Sequence, residues 1–230
     1  KEPRLEDYQL LYEREAVAAR VVQIFPQESW QVQPQVFEDQ DPDTETDFEV
    51  AWDELGKKLR GEESWHNEEQ GSPVWEVLSR ADELSGIGFY GAILLGFDDG
   101  EDDLSKPVKT KKGLQLVYAR PLEQRLCQIA SVETDRTSRR YGLPTSYNVT
   151  LVDYLSQDPS TVGAITSQGT LQTIAVHWSR VLHVADTFHQ ASPSSVFAVP
   201  RLRPVINNLL GLRKLYSASP EGYWKACFHI

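Results

Sequence analysis

The chain has 230 residues, 40% of them apolar and 25% charged, with a formal net charge of -11 and a mean hydropathy of -0.44. Such values describe a globular protein able to bury a core in one large or two small domains, and exclude a disordered or membrane-embedded chain. The acidic balance repels nucleic acid and anionic lipid, which argues against a sequence-reading DNA binder but not against a surface past which DNA moves without sticking.

Residues 4–25 carry Leu5, Tyr8, Tyr12, Ala16 and Ala19 at helical spacing, and this spacing predicts an amphipathic helix that Pro26 ends. An acidic loop follows at 37–47. Phe48, Trp52, Leu55 and Leu59, with Ala51 beside them, then form a second helical stripe, and residues 61–71 read as a polar linker. Ser72 before Pro73 has the form of an N-cap with proline at the first helical position. The helix it opens directs Val74, Leu78, Ala81 and Leu84 inward and is expected to stop at Gly86. Phe89 to Phe97 reads as a buried strand closed by the turn at Asp98, Asp99 and Gly100. Further strands are expected at 114–120, 126–133, 146–152, 172–177 and 180–184. Leu202, Val205, Ile206, Leu209 and Leu212 to Leu215 restore a helical period. Helices, then strands, then helices predict an α+β fold with a largely antiparallel sheet, and no internal repeat is visible.

The candidate chemistry is sparse. Gly86, Gly88 and Gly91 spell GxGxxG, but a helix precedes the motif and a strand follows it, the reverse of a dinucleotide site. No kinase-type lysine, HRD or DFG segment accompanies it, so the glycines read as backbone punctuation and no cofactor is expected. Asp98, Asp99, Glu101, Asp102 and Asp103 could hold a hard cation through oxygen, yet the spacing is not that of an EF-hand and a solvated turn explains it better. His177, His183 and His189 lie six apart, and His177-Trp178-Ser179 matches one half of the HxS pair of two-histidine phosphoesterases; no second half is present. There is no GxSxG elbow, and the sequon at Asn148 is of a kind common by chance. The lone basic cluster, Lys109 to Lys112, is too short for a nucleic-acid platform. Cys127 and Cys227 form no CxxC pair, which fits a reducing compartment, and the longest apolar run, Gly91 to Phe97, cannot span a bilayer.

Five segments, in order, resemble the portal proteins of tailed bacteriophages and prophages: LYEREAVAARVVQIFP; RADELSGIGFYGAILLGFDDG followed by LSKPV; ETDRTSRRYGLPTSYNV; VHWSRVLHVAD; and VPRLRPVINNLLGLRK with SASPEGYW. Together they span nearly the whole chain, as far as residue 224. The resemblance implies the wing-like part of a portal subunit over residues 1–230, in a partial chain lacking much of the stem and clip; the absence of methionine agrees with that expectation. It further implies a closed ring, usually of twelve copies, at one capsid vertex of the virion, assembled in the host cytoplasm. Expected partners are further copies of the chain, the major capsid protein, the terminase, a head-tail connector, and double-stranded DNA passing without sequence-specific contact, with no membrane. The family offers no catalytic or metal-binding residues. Arg139, Arg140, Arg180, Arg201 and Arg203 are candidates for contacts between subunits, because guanidinium suits planar ion pairs, although intrachain pairs account for them equally well. The alternatives are a phosphodiesterase or metal-dependent hydrolase using His177 and nearby acids, and an adaptor domain that forms no ring.

Overall fold

The computed structural model describes residues 3–32, 34–38, 45–60, 73–153, 170–186 and 195–227. It contains five α-helices, α1 (Leu5–Arg14), α2 (Ala16–Ser29), α3 (Asp47–Arg60), α4 (Pro73–Ile87) and α5 (Ile206–Cys227). Six strands complete it: β1 (Gly91–Phe97), β2 (Leu116–Glu123), β3 (Cys127–Val132), β4 (Pro144–Asp153), β5 (Thr170–His177) and β6 (Val181–Val184). The fold is α+β, with two antiparallel three-stranded sheets ordered β2-β1-β6 and β3-β4-β5. The polar linker at 61–71, the Ser72 cap, His66, His189 and His229 fall outside the described residues, as does most of the acidic loop.

The sheets face one another across a shared core. Ala92, Leu94 and Leu122 come from the first sheet, and Cys127, Tyr147, Val149 and Val176 from the second. The chain changes sheets twice. It does so between β2 and β3 at a turn where the Leu126 N–H donates to the Glu123 carbonyl. It does so again between β5 and β6, at a single 3₁₀ turn, Trp178–Arg180. Tyr90 ties the seam: its hydroxyl donates to the Cys127 carbonyl at 2.9 Å and accepts from the Ile129 N–H at 3.2 Å.

A second core lies among the helices, where Tyr8, Leu11, Ala18, Val22, Leu84, Ile87, Leu202, Ile206 and Leu209 meet. β1 is buried on both faces, because its other side lies against α4; a Cβ on Gly91 would stand 3.0 Å from the Ala81 carbonyl oxygen and from the Ser85 nitrogen. The aromatic chain Trp30, Trp75, Trp52 and Phe48, with ring centroids 5.6–6.3 Å apart, seats α3 against α4.

Three helix boundaries differ from the sequence reading, each for a local reason. The amphipathic stretch at the start is two helices, broken at Glu15, whose extended backbone (φ -116°, ψ 110°) caps α1 and opens α2. The break lets Tyr8 and Leu11 of one helix and Ala18 and Val22 of the next enter the same core. Pro26 does not end the helix; it lies inside α2, which runs on to Ser29. Proline deprives the Val22 carbonyl of its helical donor, and Arg201 Nη1 supplies the replacement at 3.2 Å. α4 passes Gly86 and ends at Ile87, and Gly86 is not left-handed. The Arg201 side chain occupies the space a Cβ would need there, with Cδ 2.6 Å from that position.

Candidate functional site

Three arginine-centred nodes organise the polar interior. At the corner between the sheets, Arg180 is fully enclosed and pairs with Asp99, itself 6% exposed. Arg180 Nε also donates to the Lys106 carbonyl at 3.1 Å. Burial alone would raise the Asp99 pKa, but the Lys109 N–H, the Arg180 guanidinium and the Glu101 N–H outweigh it and hold the carboxyl at about 2. Glu101 is held at about 2 by Lys109 and Lys106, whose ammonium groups lie 2.8 and 3.0 Å away. Lys111 reaches Asp98 at 3.4 Å. The acidic turn and the basic cluster, which look independent in the sequence, are therefore two sides of one folded loop. Asp98, Asp99, Glu101 and Asp103 face cations of the chain, and no cluster of potential metal ligands occurs among the described residues.

The same loop is laid on the HxS segment. The Val108 N–H donates to Ser179 Oγ at 2.9 Å, and the His177 N–H donates to the Leu104 carbonyl. His177 Nδ1 accepts from the Ser179 N–H at 3.3 Å and lies 2.9 Å from Ser179 Oγ, so the imidazole caps the 3₁₀ turn. Burial, then the nearby Arg140 and Arg180 charges, lower the His177 pKa and keep the ring neutral. Arg140 is half-buried, stacks its guanidinium 3.5 Å from the Trp178 ring centroid, and donates to the Pro144 carbonyl at 2.8 Å. Arg140 Nε and Arg180 Nη1 have no hydrogen-bond partner among the described residues.

His183 belongs to the interior as well. Its Nε2 lies 2.7 Å from the Val196 carbonyl, which only accepts, so Nε2 carries the proton and Nδ1 accepts from the Tyr147 hydroxyl at 3.2 Å. The ring stacks on Tyr90 with centroids 4.6 Å apart. Burial lowers its pKa against the opposing pull of the Val196 carbonyl. Burial also pushes the Cys127 thiol up to about 12, outside the range of a reactive cysteine.

The third node is Arg201. Beyond the Val22 carbonyl it pairs with Asp82 at 2.6 Å and approaches Asp186 at 3.8 Å, while its own N–H donates to the Gly86 carbonyl. Asp82 offers its second oxygen to Trp30 Nε1 at 3.0 Å. Beside this node opens a mainly apolar cleft of about 690 Å³, lined by Val21, Phe25, Val199, Pro200 and Pro204.

The GxGxxG glycines thus serve close packing, with Gly86 under Arg201, Gly88 against Gln124 and Leu5, and Gly91 against α4. Of the five arginines proposed for subunit contacts, Arg180 cannot reach a neighbour, since it is wholly enclosed. Arg140 and Arg201 are engaged within the chain, and Arg139 and Arg203 face outward. The feature that sequence reading passed over is exposed apolar surface on helices. On α2, Val17, Ile24 and Phe25 are exposed beside half-buried Val21. On α5, every residue from Leu210 to Tyr216 is exposed. The spacing of Val17, Val21, Ile24 and Phe25 (i, i+4, i+7, i+8) was a legible signal, because the buried Ala18 and Val22 form a separate stripe. A helix apolar on nearly all sides calls for cover on nearly all sides.

No protein-family model matches the chain, and no curated protein matches it.

Proposed function

We propose that this chain is a structural subunit of a tailed-phage portal ring, forming part of the conduit through which DNA enters and leaves the capsid. The observation that carries the reading is α5. Among its residues whose side chains are described, up to Tyr216, only Ile206 and Leu209 of the first turn enter the core. The helix then runs to Cys227, a length of about 33 Å at 1.5 Å per residue, with Leu215 and Tyr216 at least 70% exposed. Helices gain most of their stability from packing an apolar face, so a helix of this kind belongs to an assembly. The ordered resemblance across the chain supports a portal ring as that assembly. The net charge of -11 supports it further, because attractive phosphate contacts would act as brakes on a moving duplex. In this reading the capsid protein, the terminase and a head-tail connector are the further partners, and the ATP chemistry belongs to the terminase.

The hydrolase alternative stands on less: His177 Nδ1 is committed to Ser179, and the buried acid of the turn is committed to Arg180. Negative-stain electron microscopy of the protein under assembly conditions tests the proposal. Closed rings are expected, and a population of monomers alone overturns it. Hydrolysis of a model phosphodiester, abolished by His177→Ala, would favour the enzyme.

A further inference from the structure

We propose that His177 is a proton-operated latch: its neutral ring holds the loop 98–113 on the corner between the two sheets, and protonation of that ring lets the loop go. The latch does not depend on the portal reading, because every contact in it lies within one chain.

The latch is a relay of hydrogen bonds. The Val108 N–H donates to Ser179 Oγ at 2.9 Å. A hydroxyl that accepts still has its own hydrogen to give, and His177 Nδ1 lies 2.9 Å from it. The Ser179 N–H donates to the same nitrogen at 3.3 Å. Two donors therefore converge on one ring nitrogen, which accepts only while the ring is neutral with its proton on Nε2. The same short segment makes the other fastenings of the loop. The His177 N–H donates to the Leu104 carbonyl at 2.9 Å, Arg180 Nε donates to the Lys106 carbonyl at 3.1 Å, and the Arg180 guanidinium pairs with Asp99. A change in the 3₁₀ turn Trp178–Arg180 thus reaches the loop at several points.

Protonation undoes the relay at its end. A hydrogen on Nδ1 confronts the Ser179 N–H, which loses its acceptor at the start of the turn, and the Ser179 hydroxyl has to rotate away. The imidazolium is also a third cation at the corner. Arg140, from the turn between β3 and β4, and Arg180, from the 3₁₀ turn, both act on this ring by their charge. The carboxylate that faces them from the loop, Asp99, is committed to Arg180. Ser146, opposite His177 on β4, brings no charge, and Trp178 presents its ring 5.5 Å away between centroids. Burial, then the two arginines, keep the His177 pKa below its ordinary value, so the ring is neutral near pH 7 and charges on acidification. Asp99 and Glu101, held at about 2, remain ionised over that range, as do the guanidinium groups. Because the closed latch takes up the proton less readily than the open one, acid favours the open form.

Hydrogen–deuterium exchange of the full chain, read by mass spectrometry at successive pH values and corrected for intrinsic exchange, tests the latch. Backbone protection of peptides covering 104–109 should fall about tenfold or more between about pH 7.5 and about pH 5, the ratio that one unit of pKa difference produces. Peptides from β1 and β4 should keep their protection. Exchange at the imidazole C2 position reports the titration of His177 in the same protein, and its midpoint should coincide with that of the loop. His177→Asn retains an acceptor for the Ser179 N–H but does not titrate, so loop protection in that variant should no longer respond to pH. His183→Gln, which removes the buried histidine of β6, should leave the response intact. A wild-type loop that ignores pH, a midpoint apart from that of His177, or a loss shared equally by β1 and β4 overturns the latch. So does a response that survives in His177→Asn or vanishes in His183→Gln. The two midpoints come from the wild type alone and decide the matter even if His177→Asn fails to fold.

Discussion

Around Arg180 the chain folds its charges inward, whereas around α5 it turns its apolar side chains outward. In the strand half, two sheets share one core, Asp99 meets its cation inside the protein, and the exposed apolar residues, such as Val117, Val132 and Leu182, are scattered singly. Single exposed residues of that kind are ordinary surface. In the helical half, exposed apolar residues gather at helical spacing on α2 and α5, with Leu10 on α1 and Phe48 and Val50 on α3 besides. The difference teaches that the strands, with α4 packed on β1, bury their apolar faces within the chain, while α2 and α5 leave apolar surface uncovered. Substitutions in the first region should act on stability, and substitutions in the second on association.

The largest effect is expected for Arg180→Leu, which leaves Asp99 charged and enclosed. Removing one partner of a buried pair is strongly destabilising, and for a chain of this size the melting temperature should fall on the order of 10 °C. An unchanged melt would show that the corner does not depend on the pair. Next comes Tyr90→Phe, which strands the Cys127 carbonyl and the Ile129 N–H at the seam between the sheets. Urea unfolding should register a loss of about 2 kcal/mol with the ring still in place.

A smaller effect should follow pH. The His183 pKa in the folded chain lies below its ordinary value, so the unfolded chain takes up the proton first. Stability from the neutral ring is then complete above about pH 6.5 and declines as pH falls through that value toward the folded pKa. Replacing His183 with Gln should flatten that part of the stability profile, measured by urea midpoints at successive pH values. The smallest change in stability is expected for Leu215→Glu, within about 0.5 kcal/mol of wild type, although its effect on assembly should be complete. A large loss of monomer stability there would erase the contrast between the two regions.

Local features of the fold were readable because local rules produced them. Pro73 at the first position of α4, the glycine-flanked β1 and the strand-rich middle all follow from neighbours in sequence. What could not be read depends on distant partners. Asp99 and Arg180 are 81 positions apart, and neither residue announces the other. The acidic turn and the Lys109–Lys112 cluster are close in sequence and opposite in charge, so their pairing was the most legible of the missed contacts. Pro26 read as a helix end because proline removes a donor; the donor that replaces it comes from residue 201. The two changes of sheet were invisible for a similar reason, since strand order is set by the core and not by the strands themselves. The HxS segment looked catalytic because histidine and serine two positions apart serve a 3₁₀ cap as readily as a reaction.

The Arg201 node has a consequence for how such a sequence can drift. Pro26 leaves a carbonyl without a donor, Gly86 leaves a space without a side chain, and Arg201 fills both vacancies. The three positions therefore form one epistatic unit, although they are spread over most of the chain. Restoring the helix donor with Pro26→Ala should make the loss of Arg201 less damaging than it is in the wild type, a coupling that a double-mutant cycle measures directly. Conversely, a larger residue at 86 displaces the guanidinium and leaves Val22 unpaired, unless position 26 changes as well. Substitutions at 86 and 201 would be better tolerated beside a change at 26 than alone.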